Sequence, residues 1–194
     1  MEGVATVFVA IDHFVGDLVG IHAARPGTRF EALEPIHQGL REHYVPLAKD
    51  VVAGLVLQHD HGPQYMSHAF QQEIAFLGVE SSPSFVRPPQ GNGVVERFIR
   101  SLKEQLLWVR TFDTVEELRL ALLDFRARFN QHWLLQRHGY MTPAEVRSTK
   151  RPRRRREFLG KIVSRVLGGF TVTASHLGHI SLFCLQRISN VTTR

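Results

Sequence analysis

The chain has 194 residues, of which 43% are hydrophobic, enough for one globular domain of ordinary size plus a tail. No apolar run approaches the roughly 18 residues of a membrane-spanning helix, and no basic-plus-apolar secretory signal opens the sequence. The single cysteine, Cys184, excludes an internal disulfide and fits a reducing compartment without proving one.

The net charge of +6 is unevenly distributed along the chain. Residues 1–149 contain 14 Lys and Arg against 17 Asp and Glu, whereas residues 150–194 contain 10 against 1. The basic character therefore lies in the last part of the chain. Any nucleic-acid contact made by the first part must be local.

The first half of the chain has the alternating strand and helix signals of an α/β protein. Short β-branched and apolar runs predict strands, the first two forming a hairpin, and apolar residues at helical spacing predict helices. Strands are predicted over residues 6–11, 18–22, 55–58 and 79–82, and helices over residues 28–44 and 65–77.

The second half continues with helices after a loop over residues 83–93 that contains three prolines and two glycines. Val95, Phe98 and Leu102 recur at helical spacing behind that loop. Thr114 and Thr142 each stand three residues before a glutamate, which is the capping-box pattern that opens a helix.

A run of basic residues beginning at Lys150 predicts a domain boundary, so we divide the chain into a core over residues 1–149 and a basic tail over 150–194. Beyond the run, residues 169–173 give a weak strand prediction. Two interpretations of this unassigned tail stay open: it is disordered, or it is sequence read beyond a disrupted original end.

Two carboxylates stand at the ends of predicted elements. Asp60 follows the strand over residues 55–58, at the strand end where open α/β sheets commonly place chemistry. Glu96 lies in the first turn of the helix behind the loop, with Arg100 and Lys103 on the same helix side at i+4 and i+7. Taken singly, the first carboxylate is a turn residue, the second is a surface acid, and the two cations are solvated. Together, the carboxylates suit a divalent metal and the cations suit a phosphate chain.

Histidines and arginines offer two further interpretations. His59 and His61 flank Asp60, but on a strand end they point to opposite sides, so both cannot easily bind one zinc ion. The arginine run is either a solubilising segment or a nonspecific nucleic-acid tether. It consists of Arg153, Arg154, Arg155 and Arg156.

The spacing of the two carboxylates carries a family resemblance. Between Asp60 and Glu96 lie 35 residues. An H-D-x-G strand end, followed at that distance by the glutamate of P-x-x-N-G-x-x-E, resembles the catalytic core of retroviral integrases and bacterial DDE transposases. The Phe129-Asn130 pair and the Thr142-Pro143-Ala144 segment resemble the ending of insertion-sequence transposases, so the resemblance covers roughly residues 4–147.

The resemblance implies a ribonuclease H-like α/β fold, with a mixed sheet flanked by helices, that cuts and joins DNA strands with Mg²⁺ or Mn²⁺. It implies that Asp60 and Glu96 are catalytic metal ligands and that Arg100 and Lys103 position phosphates. The implied partners are DNA, as transposon ends and target, and further copies of the chain, with no membrane. The implied location is the bacterial cytoplasm, in association with the nucleoid.

The family has three catalytic acids, and the first lies on the first strand of the sheet, between the second and fourth strands. Only two strands precede the first helix here, and they resemble the family's second and third. Asp12 is therefore assigned to the turn between them, and the first strand and its acid are expected to be missing. Two functions follow as alternatives: a transposase core that is defective as given, or an inactive remnant that at most binds DNA.

Overall fold

A computed structural model describes residues 3–43, 47–83, 93–149 and 161–172. The order of strands and helices is that of an α/β protein, as predicted. The strands are β1 (Gly3–Asp12), β2 (Leu18–Ala24), β3 (Leu55–His59), β4 (Val79–Pro83) and β5 (Lys161–Val172). The helices are α1 (Arg29–His43), α2 (Pro63–Met66), α3 (His68–Phe76), α4 (Gly93–Leu102), α5 (Val115–His132) and α6 (Pro143–Thr149). A π-helical turn (Lys103–Leu107) extends α4, and a 3₁₀ turn (Gln136–His138) lies between α5 and α6.

The five strands form one mixed sheet in the order β2-β1-β5-β3-β4. β1 is antiparallel to both β2 and β5, and β3 is parallel to both β4 and β5. Ser164 fixes the register of the central strand, because it is paired with Ala10 on one side and with His59 on the other.

The central strand comes from the segment that was predicted to be a tail. The position between β1 and β3, expected to be missing, is filled by Lys161–Val172. The weak strand predicted over residues 169–173 coincides only with the end of β5. The sheet therefore continues past the boundary predicted at residue 149. The facing edges of β1 and β3 have backbone groups that need hydrogen-bond partners, and β5 supplies them.

Two adjacent glycines make this strand difficult to recognise in the sequence. The register between β1 and β5 shifts between Ala5, paired with Phe170, and Val7, paired with Leu167. Two residues of β5, Gly168 and Gly169, thus lie opposite Thr6 alone, which is the two-against-one arrangement of a β-bulge. Glycines inside a strand commonly mark such a bulge.

Side chains alternate across the sheet and build one core on each face. Val7 and Val9 of β1 pack against the α4–α5 layer, and Phe8 and Ala10 pack against the α1–α3 layer. Buried residues from the helices of the first layer include Val95, Phe98, Leu102, Leu118, Leu122, Phe125 and Phe129. Those of the second layer include Leu33, Ile36, Leu40, Tyr65, Phe70 and Ile74.

The predicted helix over residues 65–77 is two helices that meet at Ser67. Ser67 has extended backbone angles, its hydroxyl accepts a hydrogen bond from the Phe70 amide at 3.3 Å, and it donates to the Gln64 carbonyl at 2.9 Å. The serine therefore ends α2 and caps α3. The break is not visible in the apolar pattern because Phe70 and Ile74 keep the helical spacing of buried residues.

Both predicted threonine caps are confirmed, but the complete capping box forms only at α6, because the Glu117 carboxylate accepts from the Asp113 amide and not from that of Thr114. The Thr114 hydroxyl accepts from the Glu117 amide at 3.0 Å, which opens α5. At α6, the Thr142 hydroxyl accepts from the Glu145 amide at 3.2 Å, and the Glu145 carboxylate accepts from the Thr142 amide at 2.7 Å. The hydrogen bond from the Thr142 amide lowers the pKa of Glu145 below its usual range.

Among the described residues, no helix combines the length and hydropathy needed to cross a bilayer.

Candidate catalytic site

Asp60 follows the last residue of β3 and is half-buried. Its Oδ1 accepts a hydrogen bond from the Gly62 amide at 2.8 Å. A Cβ atom at position 62 would lie 2.8 Å from the same oxygen, so any larger residue there would displace the Asp60 carboxylate. The glycine of the H-D-x-G pattern thus lets the backbone approach and orient the Asp60 carboxylate.

His59 points into the core between the sheet and α3, away from any shared site with His61. Its side chain is 1% exposed and its ring stacks on Tyr65, with 5.4 Å between the ring centroids. Burial lowers the pKa of His59, so the ring is neutral near pH 7. Among the described residues there is no group of three or more His, Cys, Asp or Glu side chains that could hold a metal ion.

Glu96 lies in the first turn of α4 and is exposed. The neighbouring Val95 and Phe98 are buried in the core beneath α4, which fixes how this helix rests on the sheet. Strand alternation, continued one residue beyond the end of β3, would turn Asp60 away from the α1–α3 layer that His59 faces and toward the face covered by α4.

The two cations predicted to contact phosphate follow Glu96 along α4. Arg100 is exposed in the last turn of the helix, and Lys103 is half-buried at the start of the π-helical turn. The Lys103 carbonyl accepts from the Trp108 amide at 2.8 Å, five residues on, so the wider turn begins at this lysine. The arginine run, Arg153 to Arg156, lies outside the described residues.

No acidic residue occurs in β5, the strand next to β3 in the centre of the sheet. Ser164, level with His59, is fully buried, and its hydroxyl lies 3.0 Å from that of Tyr65. The carboxylates of Asp60 and Glu96 are ligands of the type that Mg²⁺ takes, since proteins commonly hold this ion with one or two carboxylates and several waters.

Asp12 is the last residue of β1, not a residue of the following turn as predicted, but its side chain caps that turn. Its Oδ1 accepts from the amides of Phe14 at 2.8 Å and Val15 at 3.0 Å. The sheet register places Asp12 level with Leu57, two strands away. Asp60 lies three residues beyond Leu57. It is therefore separated from Asp12 by about 10 Å across the strands and about 10 Å along them.

The second oxygen of Asp12 belongs to an ion cluster that was not predicted from the sequence. Arg147 of α6 contacts Asp12 Oδ2 at 3.2 Å and donates to both oxygens of Asp17, at 2.6 and 2.7 Å. Burial lowers the pKa of Arg147, but the bonds and charges of the two aspartates outweigh it and raise the pKa above its usual value. No local pattern could have revealed a cluster whose members lie 130 residues apart.

Comparison with known proteins shows similarity to an integrase core domain and to transposases of insertion sequence elements. Residues 77–143 match the model of the integrase core domain family. The chain is 26% identical over 145 residues to the transposase for insertion sequence element IS629 of Shigella sonnei, covering 75% of this chain and 47% of that protein. It spans less than half the length of the curated relatives it matches.

Solved structures with a similar fold are retroviral integrase cores. The catalytic core domain of BIV integrase superposes with a TM-score of 0.54 at 24% identity, covering 72% of this chain and 83% of that one. The HTLV-2 integrase catalytic core in complex with magnesium superposes with a TM-score of 0.50 at 20% identity, covering 71% and 81%. The predicted ribonuclease H-like fold and the resemblance to a transposase or integrase core are thereby confirmed.

Proposed function

We propose that this chain, whose core is of the DDE transposase and integrase kind, acts in DNA transposition by metal-dependent cleavage and joining of DNA strands. The observation that carries the proposal is the placement of Asp60 and Glu96. One carboxylate is oriented by Gly62 at the end of an interior strand. The other stands in the first turn of α4, a helix that packs on one face of that sheet. The integrase-core match and the insertion-sequence relative support DNA as the substrate.

Asp60 and Glu96 would hold a divalent ion, Mg²⁺ or Mn²⁺, and the HTLV-2 core in complex with magnesium supports this assignment. Such an ion would activate a water or a 3′-hydroxyl and stabilise charge during an in-line phosphodiester displacement. The protein would supply orientation: the Gly62 amide fixes the Asp60 carboxylate, and Arg100 and Lys103 would contact the phosphates. Self-association would fit the trimeric form of the HTLV-2 core.

A second function, binding of DNA without strand transfer, is favoured by the composition of β5. This strand takes the sheet position in which the family has its first acid, yet it contains no Asp or Glu. With two carboxylates in place of three, the ion would be weakly held and the reaction defective. Metal-dependent strand transfer by the purified chain would favour the first function. DNA binding without strand transfer, at saturating Mn²⁺, would favour the second.

Substitution of Asp60 tests the metal assignment. In Asp60→Asn, the Mn²⁺ dissociation constant measured by titration calorimetry should rise at least tenfold, because loss of an outer-shell partner alone changes metal affinity by about 10–100-fold. Asp12→Asn is the matched control: it removes a carboxylate of the same size from the end of β1, and Mn²⁺ affinity should not change. Equal losses in the two variants would contradict the assignment of Asp60 and the exclusion of Asp12.

The arginine run is expected to contribute electrostatic DNA affinity. Replacing Arg153, Arg154, Arg155 and Arg156 with glutamine should reduce the slope of log affinity against log salt by up to about 3.6, because each neutralised phosphate contributes about 0.9. Fluorescence anisotropy with a labelled duplex measures this slope. The control is a double variant, Arg110→Gln and Arg128→Gln, in which the salt slope should not change. These exposed arginines are already paired with Glu117 and Asp124. An unchanged slope in the fourfold variant would show that the run does not contact DNA.

A further inference from the structure

We propose that His59 is a positioning residue that orients Asp60, and the inference rests on the proposed role of Asp60 as a metal ligand. In the sequence, His59 suggests only a weak zinc ligand beside His61. In the structure, His59 is a buried ring whose hydrogen bonds connect the backbone of Asp60 to strand β4.

The hydrogen bonds of the imidazole define its tautomer. Nδ1 lies 2.7 Å from the carbonyl oxygen of Asp60, and a carbonyl only accepts, so Nδ1 carries the proton. Nε2 of the neutral ring is then an acceptor, and it lies 2.9 Å from the Ser81 hydroxyl, which donates. His59 thus ties the end of β3 to the middle of β4 with side-chain hydrogen bonds in the protein interior.

Asp60 is consequently held at two points. The His59 ring fixes its carbonyl, and the Gly62 amide fixes its carboxylate through a 2.8 Å bond. Because the carbonyl belongs to the peptide plane that joins residues 60 and 61, fixing it restricts rotation just where β3 ends. The carboxylate therefore keeps one direction before any ion arrives, which is the usual task of groups behind a metal ligand.

The ring is itself held by α2 and α3. Tyr65 stacks on it, and Phe70 packs edge-on with 6.1 Å between the ring centroids. The Gln71 side-chain amide lies 3.5 Å from His59 Nε2 and donates to the Tyr65 carbonyl at 2.8 Å. The Tyr65 hydroxyl reaches Ser164 of β5, so the same packed group touches the central strand. These contacts explain why His59 cannot swing out to serve as a ligand.

His59→Phe tests the proposal, because phenylalanine keeps a ring against Tyr65 and Phe70 but has no hydrogen-bonding groups. The Mn²⁺ dissociation constant should rise about 10–100-fold, the range for loss of a partner behind a metal ligand. Ile74→Val, in the same core layer, is the control for loss of stability alone, and its Mn²⁺ affinity should match that of the wild type. An unchanged affinity in folded His59→Phe, with a weakened Asp60→Asn, would overturn the positioning role and leave the metal assignment intact.

Two further measurements do not depend on metal binding. Nitrogen-15 correlation spectra of the metal-free protein should show His59 protonated at Nδ1. Hydrogen exchange of the Gly62 amide should be faster in His59→Phe than in the wild type or in Ile74→Val. A proton at Nε2, or Gly62 exchange that is unchanged by His59→Phe, would overturn the proposal. If neither the wild type nor Asp60→Asn responds to Mn²⁺, the metal assignment fails, and these two measurements still decide the role of His59.

Discussion

Deletion of residues 161–194 should abolish cooperative folding, because it removes β5 from the interior of the sheet. β5 is paired with β1 from Gly3 to Asp12 and with β3 from Val56 to His59. Each buried amide left unpaired costs about 1–3 kcal/mol, whereas a domain is stable by only about 5–15 kcal/mol. Circular dichroism during urea titration should therefore show no folding transition.

The matched control for this deletion is a chain that ends at residue 172. It lacks residues 173–194 but keeps every strand of the described sheet, so it should retain a single cooperative unfolding transition. A chain ending at residue 160 that unfolds at the same urea concentration as the control would show that β5 is dispensable.

Arg147→Ala should lower the free energy of unfolding more than any surface substitution. The Arg147 side chain is 17% exposed, and those of Asp12 and Asp17 are 14% and 9% exposed. The substitution removes the cation that bonds both poorly hydrated carboxylates, and leaves Arg137 as the charge that still interacts with Asp12. Breaking a buried ion pair in this way costs about 3–5 kcal/mol, and urea denaturation should show a loss of that size.

Arg128→Ala provides the comparison for Arg147. Its partner Asp124 lies one turn away on α5, and both side chains are at least 60% exposed. Such a pair contributes about 0.3–0.5 kcal/mol, so this substitution should hardly move the urea midpoint. Similar losses for the two arginines would contradict a special role for the cluster.

Local signals in the sequence were sufficient for most of the described helices and for four of the five described strands. The glutamates three residues after Thr114 and Thr142 marked helix starts because a capping box is made within one turn. Asp60 and Glu96 could be placed because each stands at the end of an element whose core residues alternate or recur clearly. These predictions depended on chemistry within a few residues of the chain.

Predictions failed where structure depends on distant partners. β5 is an interior strand whose apolar pattern is interrupted by Gly168 and Gly169, and only its pairing with β1 and β3 defines it. The bonds from His59 to Ser81 and from Tyr65 to Ser164 join residues 22 and 99 positions apart. The sequence contains these residues but no periodicity that joins them.

The place of β5 also bears on the proposed function. An interior strand without acidic residues stands beside the strand end that presents Asp60. Its buried hydroxyl contacts Tyr65, whose ring packs against His59. The C-terminal strand therefore supports the surroundings of Asp60 through packing, while it supplies no carboxylate to the proposed metal.

Hydrogen–deuterium exchange of β5 tests the central claim most directly, because an interior strand has its amides bonded to neighbours on both sides. Peptides covering Lys161–Val172 should exchange as slowly as those covering Gly3–Asp12 of β1. If the β5 peptides instead exchange at the rate of an unstructured chain while the β1 peptides stay protected, the C-terminal segment does not complete the sheet.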